Sequence, residues 1–408
     1  MLRPTRPGLV AATLGAVLGL ATPNPAQAQA ATKPGQNEAQ AAFPAFLESL
    51  WPDAKARGVA RATFTTAFQG VTPDPKIVAL TKKQSEFVQP IWGYLASAVG
   101  GTRLSRGQEV ARQWSATLDA VEQRYGVPRS VVLGVWGMET NYGSFTGSMD
   151  VIRALATLAY TRYRGDFFRD ELLTALQILQ GGLDRSEMKG SWAGAMGHTQ
   201  FMPSSYMKFA VDGDGDGSRD IWASIPDALA STANYLKQHG WQTGLPWGFE
   251  VELPEGFDFR NHRQGLGQWS GLGLRRRDGK SLPRSGEATL FLPGGAGGPA
   301  FLVTENYNAI KAYNSSDAYA LAVAHLGDRI AGGQPVQGAW PTSEPVLAGA
   351  ERVEVQKRLA ALGLYAGESD GKLGSKTREA VRAFQLNRGL IADGYANPKL
   401  LKELRAAR

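Results

Sequence analysis

A chain of 408 residues is longer than one typical domain and calls for two or three. Its 43% hydrophobic and 20% charged content is ordinary for a globular protein with a large core. The 44 Lys and Arg against 37 Asp and Glu leave +7, a mild excess not gathered into a basic stripe; this argues against nucleic acid and only weakly favours a polyanionic polymer.

The absence of cysteine excludes disulfides and a lipid anchor on Cys. Arg3 and Arg6 precede an apolar run over residues 9–21, then come Pro23, Pro25 and Ala26-Gln27-Ala28. That order predicts a cleavable signal peptide over residues 1–28, with a run too short to span a bilayer. The expectation is a soluble exported protein in the periplasm of a Gram-negative bacterium. Residues 29–42, rich in Ala, Gln, Pro and Lys, read as a flexible leader. Residues 43–125 are mostly helical in pattern. Phe43, Phe46, Leu47 and Leu50 make one apolar face, Trp114, Leu118 and Val121 another, and Pro73 and Pro75 break the run.

The next stretch, residues 131–143, carries the first chemical signal. It follows Pro128, whose fixed φ suits a first helical turn. Val132, Val135, Trp136 and Glu139 share one face by their spacing, and Thr140, Asn141 and Gly143 supply stop signals. A carboxyl thus ends an apolar stripe. Loss of water disfavours its charged form and raises its pKa toward the range of a general acid. Glu139 is the catalytic candidate; the alternative is a glutamate that merely points into solvent.

Residues 151–179 continue as helix and include Tyr160-Thr161-Arg162-Tyr163-Arg164-Gly165-Asp166-Phe167-Phe168, aromatic and guanidinium groups suited to stacking on sugars or to a solvated helix face. Residues 190–205 hold glycines and alanines that allow close backbone packing, with Gln200 offering donor and acceptor, and Pro203 opening another helix. In residues 211–222, Asp212, Asp214, Asp216 and Asp220 fall at positions 1, 3, 5 and 9 of an EF-hand loop, with the Ser218 carbonyl at 7. Ala223 stands at position 12 in place of the expected Glu, and either Asp220 or Asp227 is left to complete the set. A structural Ca2+ is expected there, and no cofactor for catalysis.

Residues 225–240 form a helix. Residues 245–303 change to short alternating runs broken by Gly and Pro, a small β subdomain. Helix returns over 309–330, and residues 333–349 form a linker rich in Gly, Pro, Ser and Ala. In the last unit, residues 350–408, Val355, Leu359 and Leu362 mark one helix, Ser375 to Gln385 a second, and Leu400 and Leu401 a third, with turns at Asp370-Gly371 and Asp393-Gly394. It carries no catalytic constellation and reads as a binding or dimerisation module.

Glu139-Thr140-Asn141-Tyr142-Gly143, Gly194-Ala195-Met196-Gly197 with Gln200-Phe201-Met202-Pro203-Ser204-Ser205, Ala233-Asn234-Tyr235, and Tyr313-Asn314 with Tyr319 resemble the membrane-bound lytic murein transglycosylase B family over residues 43–332. The last unit resembles the three-helix peptidoglycan-binding domain. The resemblance implies a mainly α, α+β fold with a lysozyme-like catalytic core. It implies one catalytic acid, Glu139, that protonates the glycosidic oxygen between N-acetylmuramic acid and N-acetylglucosamine. The same group then acts as base on the muramyl C6 hydroxyl to close a 1,6-anhydro ring. It carries sugar contacts to Ser191, Gln200, Tyr235, Tyr313, Asn314 and Tyr319, with Arg164 as a further candidate; Phe167 stands where the family often has Tyr. It also matches the loop of Asp212, Asp214, Asp216, Ser218 and Asp227 to an EF-hand-like site.

Ordinary glycosidases need a second carboxylate about 5 to 9 Å from the first, and none stands out beside Glu139. A lone acid of raised pKa suffices when the substrate supplies the nucleophile. A hydrolytic muramidase on the same scaffold and a non-catalytic murein-binding protein are the competing readings. The expected partner is the glycan strand of peptidoglycan, with other cell-wall enzymes as candidate protein partners, and the chain is expected to act as a monomer.

Overall fold

The computed structural model describes residues 34–83 and 89–407. The signal peptide read over residues 1–28 lies outside them. Among the described residues no helix is long and apolar enough to cross a membrane. The helix Pro34–Ser49 begins inside the stretch read as a flexible leader. Ala and Gln favour helix, and Pro34 stands at its start, where its missing N–H costs nothing.

The helical body has two apolar cores. In the first, Phe43, Leu47, Phe64 and Ile77 pack against the helices Val151–Tyr160 and Phe167–Gln180. The second surrounds the helix Arg129–Thr140, on which the helices Ile91–Val99, Ser115–Tyr125, Ile225–Gln238 and Asp317–Ile330 converge. Spacing alone suggested one apolar face for Arg129–Thr140. It is instead buried on every side from Val131 to Gly137, as a helix at the centre of a large core must be. Small residues make that possible: a Cβ on Gly134 would collide with the Val323 carbonyl, and one on Gly327 with the Ser130 carbonyl. The two helix backbones therefore touch where they cross.

The β subdomain is a five-stranded antiparallel sheet in the order Arg263–Gly265, Glu287–Phe291, Ala300–Val303, Gly248–Glu252, Arg275–Arg276. Its alternating residues Phe249, Val251, Leu290 and Leu302 enclose Trp269, whose indole donates to the Ala288 carbonyl at 3.0 Å. A short ribbon, Met149–Asp150 with Lys189–Gly190, was not foreseen from the sequence; two residues carry too little pattern to read.

The C-terminal module is the expected three helices, Gly349–Ala361, Ser375–Asn387 and Pro398–Ala406, around Val355, Leu359, Val381, Phe384, Leu401 and Leu404. Two buried glutamines pin its turns: Gln356 Oε1 accepts from Gly371 N at 2.7 Å, and Gln385 Oε1 from Gly394 N at 2.8 Å. The linker is fastened to the sheet, because Glu250 accepts from the backbone N–H groups of Gln337 and Gly338.

Candidate active site

The stop signals after Glu139 work together. Asn141, Tyr142 and Gly143 all take positive φ, at 48°, 58° and 76°. Thr140 Oγ1 accepts from Gly143 N at 3.0 Å and donates to the His198 carbonyl at 3.2 Å. Trp136 Nε1 donates to His198 Nδ1 at 3.1 Å, and His198 N donates to the Ile221 carbonyl at 2.9 Å. Gly143 must be glycine twice over, since a Cβ there would also collide with the His198 ring. The C-terminal end of the Glu139 helix is thus tied to the glycine-rich segment and, through it, to the loop after the acidic run.

Glu139 lies at the open end of this helix, partly accessible yet crowded by protein. Burial pushes its carboxyl up to about 7, and a hydrogen bond from Tyr319 Oη to Oε1 partly opposes that rise. Both its protonated and its ionised form are therefore within reach near neutral pH. Tyrosines ring it. Its charge acts on Tyr94, Tyr235, Tyr313 and Tyr319, whose phenols burial has already pushed up. Tyr94, on the helix Ile91–Val99, is the residue that sequence reasoning missed; a single phenol in the apolar run Ile91-Trp92-Gly93-Tyr94-Leu95 was the available signal.

The other candidates divide. Tyr235 and Tyr313 lie together, ring centroids 4.3 Å apart, with Phe201 packed on both. The Tyr235 hydroxyl is occupied, donating to the Ala312 carbonyl at 2.8 Å, so this residue is set in the wall of the site. Gln200 takes φ of 50° and donates to the Thr146 and Gly197 carbonyls at 3.0 and 2.9 Å. With those amide protons engaged, Oε1 is its free group, an acceptor rather than the donor and acceptor read from sequence. Ser191 Oγ accepts from Ala195 N at 3.1 Å and shapes the same turn. Asn314 is exposed and accepts from Ser316 N at 3.1 Å, closing the turn before the Tyr319 helix. Arg164 is exposed at φ 56° with its guanidinium over Tyr163. Neither reaches Glu139 by a hydrogen bond among the described residues.

In the acidic loop, carboxylate oxygens of Asp212, Asp214 and Asp227 lie within 4.8 Å of one another. Asp216 is not in this group of three; its Oδ1 accepts from Ser218 N at 2.7 Å, just as Asp212 accepts from Gly215 N and Gly217 N. Asp227 is wholly buried, and burial raises its pKa, while it accepts from Gly213 N at 2.7 Å and Asp220 N at 2.6 Å. Asp227, rather than Asp220, joins the cluster. Three carboxylates this close, one without water, suit a hard divalent cation bound through oxygen.

A family model described as the transglycosylase SLT domain matches residues 42–328, and one described as a putative peptidoglycan-binding domain matches residues 348–404. The chain is 37% identical over 227 residues to membrane-bound lytic murein transglycosylase B of Escherichia coli, across 54% of this chain and 61% of that one. It is 48% identical to SltB3 from Pseudomonas aeruginosa, solved in complex with NAG-anhNAM-pentapeptide. That match has a TM-score of 0.82 and covers 89% of this chain and 99% of that chain. The Escherichia coli lytic transglycosylase Slt35, solved in complex with calcium, is 30% identical with a TM-score of 0.59, over 71% of this chain and 92% of that one. The chain belongs to the transglycosylase SLT family, in its lytic transglycosylase B branch, with a peptidoglycan-binding domain at its C-terminus.

Proposed function

We propose that the protein is a lytic transglycosylase that cleaves the β-1,4 bond between N-acetylmuramic acid and N-acetylglucosamine in peptidoglycan, with Glu139 as both acid and base. The observation that carries the assignment to Glu139 is a carboxyl pushed up to about 7 while held by Tyr319. Its protonated form gives the proton to the glycosidic oxygen, and the N-acetylglucosamine end leaves with a new 4-hydroxyl. The carboxylate so formed takes the proton of the muramyl C6 hydroxyl as O6 bonds to C1, and Glu139 ends protonated again. No water enters the balance. A pKa near the working pH serves both steps, because neither protonation state is costly to reach. Phe201, Tyr235 and Tyr313 supply rigid aromatic wall, and Gln200 Oε1 an acceptor for a sugar hydroxyl or acetamido N–H. The NAG-anhNAM-pentapeptide bound by SltB3 supports this product class.

Asp212, Asp214 and Asp227 are the residues that would hold a calcium ion, as a structural tie and not as part of the reaction. The calcium bound by Slt35 supports that ion. The signal-peptide pattern and the murein-acting relative support a periplasmic location.

The test is mass spectrometry of muropeptides released from purified sacculi by wild type and Glu139→Gln. Anhydro ends from the wild type and none from the variant are expected. Reducing ends from the wild type would make the enzyme a hydrolytic muramidase, and anhydro ends from both would remove Glu139 from the chemistry.

A further inference from the structure

Asp317 opens the helix Asp317–Ile330, and the N-cap Ser316 accepts from the backbone N–H of Tyr319 at 3.4 Å. The Asp317 carboxylate is buried and shared by two cations: Lys311 Nζ at 2.8 Å, from the catalytic domain, and Arg378 Nη1 at 2.6 Å, from the C-terminal module. Arg378 also lies over the Phe291 ring at 5.0 Å, and Lys311 donates to Ser375 of the module at 2.6 Å. One turn on, Arg382 donates to the Phe259 carbonyl, and Asp393 Oδ2 accepts from Ala296 N at 3.0 Å. The module is therefore seated on the catalytic domain by several ties, and the Arg378 one ends at the first turn of the helix Asp317–Ile330.

That helix also delivers Tyr319 to Glu139. Residues two apart on a helix point about 200° apart around its axis. Asp317 therefore faces the module while Tyr319 faces the carboxyl, and the turn between them is gripped from both sides. Removing one partner of a buried ion pair leaves the other charge uncompensated. A cavity of about 260 Å3 is lined by Asp317, Lys311, Ser375 and Arg378.

We propose that Arg378 of the peptidoglycan-binding module is a positioning residue for the transglycosylase reaction, holding through Asp317 the helix turn from which Tyr319 reaches Glu139. The proposal rests on the reading of Glu139 as acid and base. It makes the module more than a tether: its seating orients the acid.

The test compares full-length Arg378→Ala, Arg378→Lys and Arg388→Ala, the last an exposed arginine stacked on the module's own Phe384. Anhydro-product release from short soluble glycan chains is followed for kcat, KM and pH dependence, beside sacculus binding and melting temperature. Arg378→Ala should lose about tenfold in kcat with KM changed by less than about twofold. The limb set by Glu139 should move to higher pH, because Tyr319 no longer holds the carboxylate as well. Of the groups facing Glu139, Tyr94, Tyr235 and Tyr313 remain neutral phenols over that range, so the limb reports the carboxyl. Arg378→Lys should recover most of the rate, and Arg388→Ala should match wild type. A lower melting temperature for Arg378→Ala with kcat and limb unchanged would reduce Arg378 to interdomain adhesion and overturn the proposal. Equal losses in Arg378→Ala and Arg388→Ala would overturn it too. If Glu139→Gln is inert while Arg378→Ala is as fast as wild type, only the coupling fails; if Glu139→Gln stays active, the acid–base reading fails first.

Discussion

Trp136 gives its indole proton to Nδ1 of His198 at 3.1 Å, across 62 positions of chain. An indole N–H can only donate, so Nδ1 accepts and the imidazole proton sits on Nε2. Burial lowers the pKa of His198 and keeps the ring in this neutral form. The bond fixes the glycine-rich segment to the helix three residues before Glu139.

Replacing His198 tests how much the site depends on that tie. His198→Ala strands a buried donor and opens a void, and should cost about 1–3 kcal/mol of stability. Denaturant unfolding of the variant measures it. Turnover should fall as well, since the end of the Glu139 helix loses the Trp136 tie. An unchanged midpoint and an unchanged kcat would show that the two segments are held elsewhere.

Much of this site was legible before any coordinates. Pro128 and the stop signals Thr140, Asn141 and Gly143 bracket the helix Arg129–Thr140, because capping is local. The acidic loop was legible as a cluster, and Asp227 was one of two acids left to complete it. Spacing within the loop could not choose between Asp220 and Asp227, because Asp227 comes in from the next helix to meet Asp212 and Asp214. The Tyr319 to Glu139 bond and the nearness of Tyr94 join elements remote in sequence, where no period carries information. Gln200 was found by motif, yet only its positive φ and its two carbonyl partners show which of its atoms is free.

Tyr319→Phe removes the donor that favours ionised Glu139. The carboxyl pKa should then rise above about 7, since burial remains and the opposing bond is gone. The proton-giving step keeps its acid, but the base step loses its oriented carboxylate. A kcat reduced about 10- to 100-fold is expected, with the Glu139 limb displaced to higher pH. Anhydro-product release across pH measures both. A limb that stays in place would mean that the phenol does not set the ionisation of Glu139.

The same raised pKa predicts a cost in stability. Between the ordinary glutamate pKa of 4.5 and about 7, folded protein holds a proton that the unfolded chain has released, so stability falls as pH climbs through that window. Glu139→Gln carries no such group. It should match wild type near pH 5 and exceed it at pH 8 by on the order of 2–3 kcal/mol. Urea unfolding at the two pH values decides the matter. Equal stabilities at pH 8 would mean that the carboxyl is better hydrated than its setting implies.

Asp227 offers the sharpest test of the acidic loop. A cation that binds only the folded chain adds about 2.7 kcal/mol when present at a hundred times its dissociation constant. Wild type should therefore melt higher in calcium than in a chelator. Asp227→Asn keeps an acceptor for the Gly213 or Asp220 N–H but removes the buried charge, and should abolish the calcium-dependent increment. Asp216→Asn should retain most of it, because that carboxylate lies outside the cluster of three. Scanning calorimetry of the three proteins with calcium and with chelator gives the increments directly. If Asp216→Asn loses the increment and Asp227→Asn keeps it, the cation is held by the run of alternating aspartates and not by the buried acid of the following helix.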